Sequence, residues 1–161
     1  MKPGTLILIT GTIGVGKTTL ATKLAEERNA HWFSPDDWIL AILKDPSDIA
    51  ERDRLRDPVE QMLWKEAQDL LRLGVTVILE NGFWTREERD QYLKIAKGLG
   101  ATVELHYVEA KPEELWERVK KRNDDPGEFA ITKEEVENAL RLFQPPTEEE
   151  ASQYDNFGKY S

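Results

Sequence analysis

Gly11-Thr12-Ile13-Gly14-Val15-Gly16-Lys17-Thr18 lies between a short apolar run and a helical repeat, and few folds accommodate that arrangement. The run before it, Thr5–Thr10 (TLILIT), is apolar and β-branched, as a strand buried on both faces requires. After it, Leu20, Ala21, Leu24 and Ala25 recur at helical spacing within Lys17–Asn29. The eight residues fit G-x4-G-K-[ST], in the strand-then-helix context that gives this spacing its meaning. Glycines let successive backbone N–H groups turn inward around phosphate oxygens. The helix opening near Lys17 adds its positive dipole end. The pattern predicts a cradle for the phosphates of ATP or a related triphosphate, extending from Gly11 to Thr19. Within it Lys17 reaches the β- and γ-phosphates and Thr18 offers its hydroxyl to Mg²⁺.

The rest of the chain alternates in the same way. His31–Ser34 reads as a second strand, followed by an acidic helix start at Pro35-Asp36-Asp37. Residues 45–56 are charged and contain Pro46, which predicts a loop or broken helix. A long helix is expected from Asp57 as N-cap, with Pro58 in its first turn, Glu60 in cap-box spacing and Gly74 at its end. Val75–Leu79 and Thr102–Val108 read as further buried strands. Helices are expected after Thr85, after Pro112 and after Thr132, the last stopped by Pro145-Pro146. Asp124–Ala130, with Pro126 and Gly127, predicts a mobile segment within a short lid at about 118–131. The tail from about residue 146 is polar, with Tyr154, Phe157 and Tyr160 as docking points. Strands alternating with helices imply right-handed crossovers and an α/β fold, a parallel sheet between helical layers in one domain.

In an open parallel sheet ligands bind beyond the carboxyl ends of the strands, so the residues that follow strands are the chemical candidates. Asp36 and Asp37 follow the second strand, and either could accept a hydroxyl proton, or simply complement a helix N-terminus. Glu80 and Asn81 end the third, where an acid would stand near Mg²⁺, with a water-mediated contact expected for Glu80. Arg118 and Arg122 share a helix face at i, i+4, where they could cover a transferring phosphoryl group or pair with Glu114 and Glu117. Arg86 and Arg89 could reach substrate or phosphate, or pair with neighbouring acids. Trp38 and Trp84 could wall a pocket or pack in the core. His31 and His106 are too isolated to suggest a metal site.

Composition limits the partners. The 22 basic and 31 acidic residues give a formal charge of −9, and no basic stripe offers grip on a polynucleotide. No apolar run approaches the ~18 residues of a membrane helix. With no cysteine there is neither disulfide nor thiolate chemistry, and no secretory pattern precedes the first strand. A cytoplasmic protein is expected.

The order of these pieces resembles the small P-loop kinases of the superfamily that includes chloramphenicol phosphotransferase, zeta toxins and the kinase domain of polynucleotide kinase. The resemblance covers about residues 5–145. It rests on Gly11–Thr18, on Ser34-Pro35-Asp36-Asp37, on Val77-Ile78-Leu79-Glu80-Asn81 with Thr85-Arg86 and Arg89, and on Arg118-x3-Arg122-Asn123. It implies a three-layer P-loop NTPase fold of the nucleoside- or shikimate-kinase type, with strand order 2-3-1-4 and an arginine-bearing lid. It also implies a hydroxyl acceptor activated by an aspartate after strand two. Matched to the Asp-Asp-Tyr-Arg pattern of polynucleotide kinase, Asp36 takes the position of the base. The arginine that serves a nucleic acid's phosphate becomes Ile39 here, which agrees with the charge in disfavouring a polynucleotide. Three readings follow: ATP-dependent phosphorylation of a small-molecule hydroxyl, a nucleotide or polynucleotide kinase, and a regulatory ATPase with no small acceptor.

Overall fold

A computed structural model describes residues 2–125 and 129–161. Five strands form one sheet: β1 (Thr5–Thr10), β2 (His31–Phe33), β3 (Val77–Gly82), β4 (Thr102–Val108) and β5 (Asn156–Tyr160). All pairings are parallel and the order is β2-β3-β1-β4-β5. The helices are α1 (Lys17–Arg28), α2 (Pro35–Ile42), α3 (Ile49–Arg72), α4 (Arg86–Gly98), α5 (Pro112–Asn123), α6 (Lys133–Leu142) and α7 (Glu148–Ala151).

Because side chains alternate along a strand, β1 serves two cores. Leu6 and Leu8 join the cluster with Leu63 and Leu71 of α3 and Leu93 and Ala96 of α4. Ile7 and Ile9 join Ala21 and Leu24 of α1, Leu115 and Val119 of α5 and Val136 of α6. The central strand is thus sealed on both faces. Its carboxyl end, and that of β3 beside it, open toward one edge of the sheet.

Two expectations need correction. The helix expected from Asp57 begins nine residues earlier than that cap: Asp48 is the N-cap, its carboxylate accepting the Glu51 amide at 3.1 Å. Pro58 lies inside α3, not at its start. Leu55, Val59 and Leu63 continue one buried face through the proline, while the Arg54 carbonyl that loses its partner lies on an exposed turn. Packing of that face outweighs the break that Pro58 would otherwise cause. The tail is likewise not a polar extension. Thr147 caps α7 by accepting the Glu150 amide at 3.2 Å, and the chain returns as β5 along β4, extending the expected order 2-3-1-4 by one strand. Tyr154 is buried in the core and Phe157 packs against it. Of the expected mobile segment, Pro126–Glu128 lie outside the described residues. On either side of them, the Asn123 amide donates to the Ile131 carbonyl at 2.7 Å and accepts from its N–H at 2.9 Å.

Candidate functional site

The sheet's open edge carries a cleft of about 960 Å³. The loop between β1 and α1 forms its floor. Gly16 is the N-cap of α1 with φ of 101°, and Gly14 has φ of 83°, both left-handed conformations that a side chain strains. These two turns curve the loop ahead of the N-terminus of α1, the backbone arrangement that suits an anion. The Lys17 ammonium folds back over the loop, donating to the carbonyls of Gly11 and Thr12 at 2.9 and 2.8 Å. Ile13, Val15, Thr18 and Thr19 also line the cleft, whereas Gly11 and Thr12 support it from beneath. The Gly11 amide donates to Gly82 at 3.2 Å, and the Thr10 hydroxyl lies 2.8 Å from the carbonyl oxygens of both Gly82 and Phe83. The phosphate loop is therefore tied to the end of β3.

Burial lowers Lys17 to about 8, the carboxylates of Glu80 and Asp36 opposing the fall and Arg122 and Arg56 adding to it. An anion bound in the loop favours the ammonium form. Its affinity is therefore constant below this value and weakens as pH rises above about 8, where the ligand-free protein must first take up a proton. Calorimetric titration with ATP in EDTA is expected to show proton uptake at pH 9 and almost none at pH 7. Equal uptake at both would exclude Lys17 as the titrating group.

Thr18 and Glu80 meet across the floor: the hydroxyl donates to Glu80 Oε1 at 2.7 Å, and the Trp32 indole N–H donates to Oε2 at 3.2 Å. Burial raises Glu80, and the bonds from Thr18 and the charge of Lys17 hold it back. A hydroxyl beside a carboxylate is a hard oxygen pair of the kind Mg²⁺ accepts alongside phosphate oxygens and water. No group of three or more acidic, histidine or cysteine residues among those described could hold a metal without such help.

The opposite wall comes from α2, α3 and α4. Asp36 lines the cleft and accepts from Arg56 at 2.8 Å through Oδ1. Arg52, Arg56 and Glu60 follow at i, i+4, i+8 along α3, one face of a helix. Arg52 reaches Glu135 of α6 at 2.6 Å and lies 5.7 Å from the Phe129 ring centre, joining the two sides of the mouth. No site role was expected for this row, because residues 45–56 read as a loop or broken helix and Glu60 as part of a helix cap. Its spacing becomes visible only once the helix is carried through Pro58. Glu88, one turn into α4, was also not anticipated.

Of the remaining candidates, Asn81, Trp84, Arg118 and Arg122 line the cleft. Arg118 approaches the Val15 carbonyl at 3.4 Å and also pairs with Glu114 at 3.7 Å. Four expected substrate contacts stand elsewhere. Asp37 is exposed outside the cleft. Trp38, 48% exposed, faces a shallow groove with His31 and Met62. Both point away because only one side of α2 faces the sheet's open edge. Arg86 is held by Glu149 and Asp90 on the surface. Arg89 is fully buried, bound to Glu150 at 2.6 and 2.9 Å and to the carbonyls of Phe83 and Gln144 at 2.8 Å each. It braces the loop after β3 instead of reaching into the cleft.

A model of the AAA_33 family, described as an AAA domain, matches residues 6–146. A probable adenylyl-sulfate kinase of Aeropyrum pernix is 27% identical over 150 residues, covering 90% of this chain and 78% of that one. A candidate kinase from Chloroflexus aurantiacus superposes with a TM-score of 0.80 at 22% identity, over 99% of this chain and 88% of the other. A gluconokinase from Sinorhizobium meliloti superposes with 0.64 at 19% identity, over 98% and 81%. No described helix is long and apolar enough to cross a membrane. The chain belongs to the AAA_33 family, and its glycine-rich loop and layered parallel sheet share the P-loop fold of the solved kinases on which it superposes.

Proposed function

We propose that this protein is an ATP-dependent phosphotransferase that moves the γ-phosphoryl group to a hydroxyl of a small molecule. The observation that carries the reading is the carboxylate of Asp36 in the same cleft as the phosphate loop, close enough for its charge to act on Lys17. Oδ1 of Asp36 is held by Arg56, which orients the carboxylate and leaves Oδ2 for the acceptor's proton. Lys17 and the loop amides bind the β- and γ-phosphates. Thr18, with Glu80 beside it, would hold Mg²⁺, which when bound would supply positive charge to offset that of the phosphates. Arg118 and Arg122, from α5, offset the charge on the transferring group. The acceptor oxygen loses its proton to Asp36 as its bond to phosphorus forms and the bond to the ADP oxygen breaks.

The named relatives act on different acceptors, and adenylyl sulfate and gluconate are both anionic. In this cleft the two arginines on the acceptor side are already engaged, Arg56 with Asp36 and Arg52 with Glu135. The net charge of −9 and Ile39 also favour a small acceptor over a polynucleotide.

ADP release from Mg-ATP, measured with and without pooled small hydroxyl compounds, tests the reading. Stimulation by a pool, with phosphate recovered on a pool member, is the expected result. A slow rate that no pool changes would favour a nucleotide-dependent switch, and the phosphotransferase would be abandoned.

A further inference from the structure

The acceptor end of the cleft has a composition that narrows the choice of acceptor. Glu60 of α3 and Glu88 of α4 both line it. Among the described residues neither forms an ion pair: the arginines whose charge reaches them, Arg56 and Arg89, are bound to Asp36 and Glu150, and Arg52 is bound to Glu135 and Asp53. Two oxygens here are buried without a hydrogen-bond partner, Oε2 of Glu60 and Oδ1 of Asn81. Buried acceptors of this kind are costly unless a donor arrives. The groups facing Glu60 are Arg56 and Asp57 on its own helix, Asp36 on α2, and Glu88 and Tyr92 on α4. Burial pushes Glu60 up to about 7; Arg56 opposes this, and the carboxylates of Glu88, Asp36 and Asp57 add to it. Burial likewise raises Glu88, with the Arg89 charge opposing, and Tyr92, with Glu60 and Glu88 adding, so two carboxylates share this end of the cleft with no ion-pair partner of their own.

We propose that this end of the cleft selects an amine-bearing hydroxyl compound, an amino alcohol or amino sugar, whose ammonium group lies against Glu60 and Glu88 and whose hydroxyl meets Asp36. The inference rests on the phosphotransferase reading. An ammonium group brings three donors and no acceptor, which suits two carboxylates and an orphaned amide oxygen. Its charge also relieves the repulsion between Glu60 and Glu88. A carboxylate or sulfate in the same place would add a further negative charge where both nearby arginines are already taken. A neutral polyol could satisfy the orphaned oxygens but would leave the repulsion intact.

The experiment compares ADP release from Mg-ATP with three pools: amino sugars with amino alcohols, neutral sugars with polyols, and polyhydroxy acids. The amino pool is expected to stimulate strongly and the acid pool not at all. For the active amine, E60Q should raise KM by roughly tenfold or more while leaving the KM for ATP unchanged. In the native protein KM for the amine should rise as pH falls below about 7, where Glu60 takes up a proton. In E60Q that limb should shrink to the part contributed by Glu88, which burial also raises. E88Q gives a second measure on a separate helix should E60Q fail to fold, with the same rise in KM expected. Stimulation greatest with the neutral or acid pool overturns the amine inference and leaves the phosphotransferase standing. Stimulation by the amino pool with an unchanged KM in E60Q or E88Q also overturns it. Silence from all three pools overturns both.

Discussion

Asp36→Asn is expected to lower acceptor-dependent turnover by roughly 10²–10⁴-fold, the range for removing a positioned general base. Mg-ATP affinity should stay within about twofold. Asparagine keeps the size of the side chain and an oxygen that can still accept from Arg56, so the wall of the cleft remains. What it loses is the capacity to take a proton from the acceptor hydroxyl. Its charge also acts on Lys17, and removing that charge withdraws support for the ammonium form. The small loss of nucleotide affinity this causes should be confined to alkaline pH. Single-turnover phosphate transfer, with ATP binding followed separately, resolves the two effects. A variant that retains more than a third of native turnover would remove Asp36 from the base role.

Glu150→Ala is expected to destabilise the protein by about 3–5 kcal/mol, the cost of leaving a buried charge without its partner. For a chain of this size that corresponds to a Tm lowered by roughly 6–20 °C. Arg89 has no solvent exposure and Glu150 has 1%, so neither charge has water to turn to once the other is gone. Replacing both together, Arg89→Met with Glu150→Leu, should not restore full stability. Arg89 also donates to the carbonyls of Phe83 and Gln144, and each buried carbonyl left without a donor costs about 1–3 kcal/mol. Thermal unfolding followed by circular dichroism measures both variants. A fall in Tm of less than 2 °C for Glu150→Ala would mean that the pair does not anchor the tail.

The phosphate loop and the central sheet were legible because their signals are local. A glycine spacing, a β-branched run and a helical repeat are each complete within about ten residues. The acceptor wall was not, because it depends on distant parts of the chain. The row Arg52, Arg56, Glu60 is hidden by Pro58, whose effect is local, while the packing of Leu55, Val59 and Leu63 that overrides it is tertiary. Arg89 reads as a cleft residue by position after β3, and only its partner in α7, 61 residues away, removes it. The last strand is short and carries Gly158 and Lys159, so its edge pairing with β4 supplies what its composition lacks. Trp38 and Trp84 stand at similar places after their strands, yet the rotation of α2 turns one outward and the loop after β3 turns the other in.

The Arg89–Glu150 pair also bears on how the site is made during synthesis. When Arg89 emerges, the carboxylate that must enclose it lies 61 residues further along the chain. At ~5–20 residues per second the ribosome needs about 3–12 s to deliver it. At the start of that interval the residues of β1, α1, β2, α3 and β3 have been synthesised, whereas β4, which flanks β1, has not. The guanidinium meanwhile can neither enter the core alone nor hold the Phe83 carbonyl in a dry environment. Bracing of the loop after β3 by a neutralised Arg89 therefore waits on α7. A codon-level pause placed between residues 89 and 150 would lengthen the exposed interval without altering a single contact of the finished protein.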